Sequence, residues 1–108
     1  MSDKLLRWLG SSRADVRAFP RDARRLAGFQ LRRIQQGLDP TDWKGMPTVG
    51  PGAREIRIHT LIEHRVLYVA HLAEAVYVLH AFEKRSRKTA KRDVELAAHR
   101  YRALLRQL

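Results

Sequence analysis

The sequence predicts an α+β fold: a small, mostly antiparallel sheet with helices on one face, in the order β-α-α-β-β-β-α. Three observations carry that expectation. Strand-like alternation is concentrated between Arg54 and Lys84, in three runs joined by short gaps, and short connections favour antiparallel neighbours. Apolar stripes at helical spacing flank these runs, one before residue 37 and one after residue 89. Between them, residues 39–53 hold three prolines and three glycines, too many for a regular element. A chain of 108 residues reads as one domain, residues 1–108.

Residues 4–9 (KLLRWL) read as a short strand that Gly10 ends. Ser11 or Ser12 caps a first helix reaching Phe19. Pro20 either opens a second helix or kinks the first. In that second helix Ala23, Leu26, Ala27, Leu31 and Ile34 form the apolar stripe, Asp22 suits the first turn and Gly37 the C-terminal end. Its arginines, Arg21, Arg24, Arg25, Arg32 and Arg33, read as the wet face of an amphipathic helix or as a nucleic-acid contact. The loop 39–53 lacks the glycine spacing and Lys-Ser/Thr pair of a phosphate-cradling loop, and its Trp43 and Met46 are expected to fold back onto the core. Arg54–His59 alternates, with Ile56 and Ile58 opposed to Glu55, Arg57 and His59. Arg65–His71 and Val76–Lys84 follow across hairpin-length gaps, and the second of these, apolar on both faces through Leu79, reads as a central strand. Thr89 caps a last helix striped by Val94, Ala97, Ala98, Tyr101, Leu104 or Leu105, and Leu108.

Composition narrows the function. The chain has no cysteine, which excludes disulfides, thiolate zinc sites and cysteine nucleophiles. Its five histidines are scattered without metal-ligand spacing, so neither a metal nor another cofactor is expected. The first apolar run is broken by Arg7 and Gly10, so no signal peptide is expected, and no run approaches the roughly 18 apolar residues that cross a bilayer. A cytoplasmic protein without a membrane partner is the expectation. The formal charge is +11, with both halves basic: ten Lys/Arg against five acids in residues 1–50, twelve against six in residues 51–108. Such a surplus implies an anionic partner, nucleic acid or an acidic protein.

The charge is densest at residues 76–89, where a strand ends in Lys84, Arg85, Arg87 and Lys88 with Glu83 as the only acid. Period-2 counting puts Val76, Val78, His80, Phe82 and Lys84 on one side, and Tyr77, Leu79, Ala81, Glu83 and Arg85 on the other. Arg57 and Arg65 lie on the neighbouring strands and Lys44 in the loop before them. Cations of this kind stabilise a charged phosphoryl transition state without a metal, provided that some group moves a proton. RNA supplies its own nucleophile in the 2′-hydroxyl. His80, the neutral-range titrating group of the central strand, reads as a candidate acid or base or as a hydrogen-bonded structural histidine. Tyr68 and Tyr77 read either as platforms for stacking on bases or as core or partner-interface packing.

The stretches SSRADVRAFP, LRRIQQGLDPTDWKGMPTVGPGAREIRI, HRVLYVA and, above all, YVLHAFEKRSRKTAKRDVELAAHRY resemble the phage-derived, HigB-like branch of the RelE/ParE toxin superfamily. The resemblance implies a RelE-like fold and the toxin of a type II toxin-antitoxin system, a ribosome-dependent endoribonuclease that cuts messenger RNA by attack of the 2′-hydroxyl on the adjacent phosphate. It implies partners as well: ribosome and messenger, a cognate antitoxin of the helix-turn-helix kind, and operator DNA through that antitoxin. Arg65, Lys84 and Arg85 match the basic active surface, joined by Lys44 and more weakly by Arg57 and His80; Arg87 and Lys88 extend the phosphate-binding cluster. Glu83, where the branch has a neutral polar residue, is expected to offset part of the Lys84 field. Two other readings stand beside this one: a ParE-like inhibitor of DNA gyrase, and a catalytically silent domain that only binds an antitoxin or nucleic acid.

Overall fold

The structure, a computed structural model, describes residues 3–108. In chain order its elements are β1 (Leu5–Trp8), α1 (Ser12–Arg17), α2 (Arg21–Gln35), β2 (Trp43–Gly45), β3 (Arg54–His59), β4 (Glu63–Val69), β5 (Ala75–Glu83) and α3 (Lys91–Gln107). The fold is α+β, built on one mixed sheet of order β1-β5-β4-β3-β2. β1 runs parallel to β5, and every other neighbour is antiparallel. The short β2 is an addition within what reads as a featureless loop: Trp43–Gly45 pairs with Arg54–Ile56 at the sheet edge. Three residues are too few to show a period.

Helices cover both faces of the sheet, not one. Val16, Phe19, Ala23, Ala27, Leu31 and Ile34 from α1 and α2 pack on Ile56, Ile58, Val66, Tyr68, Val76, Val78 and Ala81. On the opposite face Ala97, Tyr101 and Leu104 of α3 pack on Leu67, Val69, Ala75, Tyr77 and Leu79. The physical reason lies in β4 and β5, which are apolar on both sides and would leave one side wet under a single helical layer. Pro20, extended at φ −52° and ψ 152°, separates α1 from α2, because a residue with no N–H and a fixed φ suits the entry to a helix. Met46 is buried with the α3 layer, while Trp43 stays half-exposed beneath the Arg54 guanidinium, 3.9 Å from its ring. Tyr68 and Tyr77 are both buried in the core, which removes them as stacking platforms for bases. Among the described residues no helix is long and apolar enough to cross a membrane.

The strand bounds differ from the sequence reading at both hairpins. β4 begins and ends two residues early. The turn closes within Thr60–Ile62, where the Thr60 hydroxyl donates to the Ile62 carbonyl at 2.8 Å. Beyond Val69 the carbonyls of Ala70 and Leu72 turn toward the Lys4 ammonium. α3 begins after Ala90, its N-cap, and not after Thr89. The Thr89 hydroxyl donates instead to Glu55 Oε2 at 2.6 Å.

One irregularity re-aims the end of β5. Leu67 pairs with His80 but Tyr68 pairs with Val78, so Leu79 is an extra residue, a β-bulge. The bulge breaks the period-2 count. Val78 and Ala81 now share the α1–α2 face, and Phe82 joins the α3 face with Leu79. His80 follows, bonded to Asp93 of α3. The freed Leu79 carbonyl accepts from the Arg100 guanidinium at 2.9 Å, and the same group reaches the Ser11 hydroxyl at 3.1 Å. Gly10, at φ +54°, leaves room for that guanidinium where any Cβ would strike it. Arg100→Leu is therefore expected to cost about 1–3 kcal/mol by leaving a part-buried carbonyl unbonded. Urea unfolding checks this, and a loss well under that range would show that water serves the carbonyl equally well.

Candidate functional site

α3 covers only part of its face. It packs on the first two-thirds of β5 and on Leu67 and Val69 of β4. Past that footprint the face belongs to β2, β3, the start of β4 and the end of β5. Alternation from the observed register places Lys44, Glu55, Arg57, Arg65 and Lys84 there together. Lys44 stands directly opposite Glu55, and Arg57 directly opposite Arg65. Two arginines in register repel, and sheets ordinarily avoid the arrangement. The Lys84 N–H still bonds the Glu63 carbonyl at 2.8 Å, which carries the Lys84 side chain beside Arg65.

Three carboxylates hold this cluster. Glu55 is fully buried, with one oxygen accepting from Thr89 and the other 3.5 Å from Arg65 Nε. Arg65 is itself only 5 % exposed and also donates to Glu63 Oε1 and the His64 carbonyl, each at 3.0 Å. Asp42 lies 3.9 Å from the Arg57 guanidinium. Desolvation first, and repulsion from Arg65 second, push the Lys84 ammonium below its usual range; Glu55 opposes, while Lys44 and Arg57 add to the lowering. Among the described residues five buried side-chain atoms lack a hydrogen-bond partner, and three sit here: Arg57 Nε, and the Arg65 Nε and Glu55 Oε1 atoms that face each other across the 3.5 Å ion pair. Buried polar atoms without close hydrogen bonds, gathered in one place, mark a site more often than a scaffold.

The other expected site residues lie apart. His80 is held by Asp93 at 2.7 Å, stacks on Phe82 and is 7 % exposed. Four residues from Lys84 along β5, it stands about 13 Å away at strand rise. Arg85 projects into solvent with its side chain 79 % exposed and touches Glu83 at 3.4 Å. Arg87 and Lys88 are exposed in the connection to α3. Glu83 lines a shallow groove against Phe19, Pro20 and His64, on the other side of the strand from Lys84, so Glu55 and not Glu83 is the carboxylate that tempers Lys84. Glu55 has a sequence signal only in hindsight: an acid inside an inner strand flanked by arginines. Among the described residues no group of three or more His, Asp or Glu side chains is placed to hold a metal ion.

A histidine ties two of the carboxylates together. His59 Nδ1 is 2.8 Å from Glu63 Oε1, and Nε2 is 2.5 Å from Asp42 Oδ2. Both ring nitrogens face carboxylate acceptors, an arrangement that favours the doubly protonated ring. Hydrogen bonds to Asp42 and then Glu63 accordingly raise the His59 pKa, and the bond from His59 lowers that of Glu63. The raised histidine stabilises the fold fully below its unfolded value of about 6.5 and loses that contribution as pH rises through its folded value. The lowered Glu63 does the reverse, losing its contribution as pH falls through its folded value. The thermal stability of wild type over His59→Gln is thus expected to peak near about pH 5.5 and to narrow toward alkaline pH. A difference constant with pH would show that the three groups are not coupled.

Comparison with known proteins adds one match. The family model described as phage-derived protein Gp49-like matches residues 14–102, from α1 into α3. That span contains every residue of the cation cluster. No curated protein matches the chain.

Proposed function

The chain belongs to the phage-derived Gp49-like family, and from that premise we propose that it is a metal-independent endoribonuclease, the toxin of a type II toxin-antitoxin pair with a RelE-like fold. The observation that carries the reading is the register-opposed Arg57–Arg65 pair, joined on one sheet face by Lys44 and by a Lys84 of lowered pKa. The opposed arginines repel; Glu55, Glu63 and Asp42 offset part of that repulsion, and an incoming phosphate offsets the rest. Arg57, Arg65 and Lys44 bind the scissile phosphate and stabilise the extra charge of the pentacoordinate transition state. The substrate 2′-hydroxyl loses its proton to water as its oxygen bonds the adjacent phosphorus. The bond to the 5′-oxygen breaks, the Lys84 ammonium protonates that leaving oxygen, and a 2′,3′-cyclic phosphate remains. A lowered pKa makes the ammonium a stronger acid toward the leaving oxygen. The proposal therefore gives Lys84 the proton-transfer role that the sequence suggests for His80.

On this reading the messenger is presented by the ribosome in the cytoplasm, and a helix-turn-helix antitoxin neutralises the enzyme and carries it to operator DNA. Mapping RNA ends after brief induction in cells tests it: new ends inside translated codons are expected. Intact messenger with blocked DNA supercoiling would instead mark a gyrase inhibitor. A non-catalytic binding domain is the second reading, and the near-complete burial of Arg65 behind Glu55 and Glu63 favours it. Intact messenger and unimpaired supercoiling would support that one.

A further inference from the structure

The opposite face of the molecule carries a second charged surface that the cation cluster does not use. α2 turns Ala23, Ala27, Gln30, Leu31 and Ile34 to the core. Its outward line, at positions i, i+4, i+7 and i+11, is Arg21, Arg25, Gly28 and Arg32. Arg32 pairs with Asp3 at 2.7 Å; Arg21 and Arg25 have no ion-pair partner among the described residues. Phe29 stands beside the line at 57 % exposure. The line covers about 16 Å of helix.

Gly28 is the informative residue. Apart from proline, glycine weakens an exposed helix interior most. Here it serves no internal packing, since a Cβ at Gly28 would meet nothing within 4 Å. A missing side chain in the middle of an outward line, between arginines and beside an exposed phenylalanine, allows another backbone to approach closely. A solvated arginine face needs neither the glycine nor the phenylalanine. A nucleic-acid backbone would use the arginines but leave Phe29 unburied. An interface built from an aromatic anchor with an arginine rim suits protein.

We propose that α2 docks an acidic amphipathic helix of a partner protein, crossing at Gly28, with small and apolar residues over Gly28 and Phe29 and carboxylates against Arg21, Arg25 and Arg32. The inference stands on α2 alone and holds whether or not the opposite face cuts RNA. The probe is a synthetic helical peptide with alanine and leucine on one face and glutamates flanking them, titrated into the isotope-labelled full-length chain. Amide shifts are expected along Arg21–Arg32, with the Lys44, Arg57 and Lys84 face undisturbed. Gly28→Gln is expected to raise Kd at least tenfold while Tm stays the same or rises, glutamine being the better helix former. Gly28→Ala should also raise Tm, showing that the native glycine is not kept for folding. Absence of peptide binding, shifts confined to the other face, or wild-type affinity in Gly28→Gln would each overturn the proposal. So would a duplex RNA that binds this helix more tightly than the peptide and keeps its affinity in Phe29→Ser.

Discussion

Arg65→Ala is expected to lower the free energy of unfolding by about 3–5 kcal/mol. The loss comes less from the arginine's own bonds than from what it abandons. Glu55 has no exposed surface, and without Arg65 its charge keeps only the Thr89 hydroxyl within hydrogen-bond reach. A buried carboxylate in that position must take up a proton or open the sheet to water. Glu63 retains His59, so the loss is concentrated on Glu55. Equilibrium urea unfolding measures the effect. The double variant Glu55→Gln with Arg65→Met should recover most of the stability, since replacing both partners removes the stranded charge. A loss under about 1 kcal/mol for Arg65→Ala would place the pair in the cheap class of surface ion pairs. One consequence concerns activity assays: a dead Arg65→Ala protein says little about catalysis, because its fold is compromised.

Lys84→Met is the cleaner probe. Lys84 is half-buried and forms no ion pair among the described residues, so unfolding should shift by no more than about 0.5–1 kcal/mol. RNA cleavage should fall by about 10²–10⁴-fold, the usual worth of a positioned acid or base. Lys84→Arg separates charge from proton transfer. The guanidinium keeps the positive field but does not give up a proton in the accessible range, so Lys84→Arg should bind substrate as wild type does and still cut slowly. Equal cleavage by Lys84→Arg and wild type would reduce Lys84 to a phosphate ligand.

Much of the fold was legible because its signals are periodic. The alternation of Arg54–His59 gave that strand its observed bounds, and the stripes of α2 and α3 stood out over four or more turns. The apolar run through Leu79 calls for cover on the second face, although the order of elements alone suggests helices on one side. What escaped depends on tertiary contact. The Leu79 bulge has no local signature, since its freed carbonyl is answered by Arg100 from a helix 21 residues later, and it alone decides which way His80 points. Thr89 looked like a cap because threonine caps helices. It serves a carboxylate 34 residues away instead. The cations Lys44, Arg57, Arg65 and Lys84 were each visible as charges, and strand pairing brings them onto one face. Glu55 was invisible as a site residue, because a carboxylate in an alternating strand reads as wet until its neighbours are known.

The central claim is that the Lys84-centred cluster cuts RNA, and one measurement addresses it most directly. Ribosomes programmed with a defined messenger are mixed with purified wild-type protein or with Lys84→Met of matched thermal stability, and the RNA ends are mapped. The account predicts that wild type cuts within the translated codon and leaves a 2′,3′-cyclic phosphate, while Lys84→Met leaves the messenger whole over the same interval. Uncut messenger with wild type, or equal cutting by the two proteins, would contradict it.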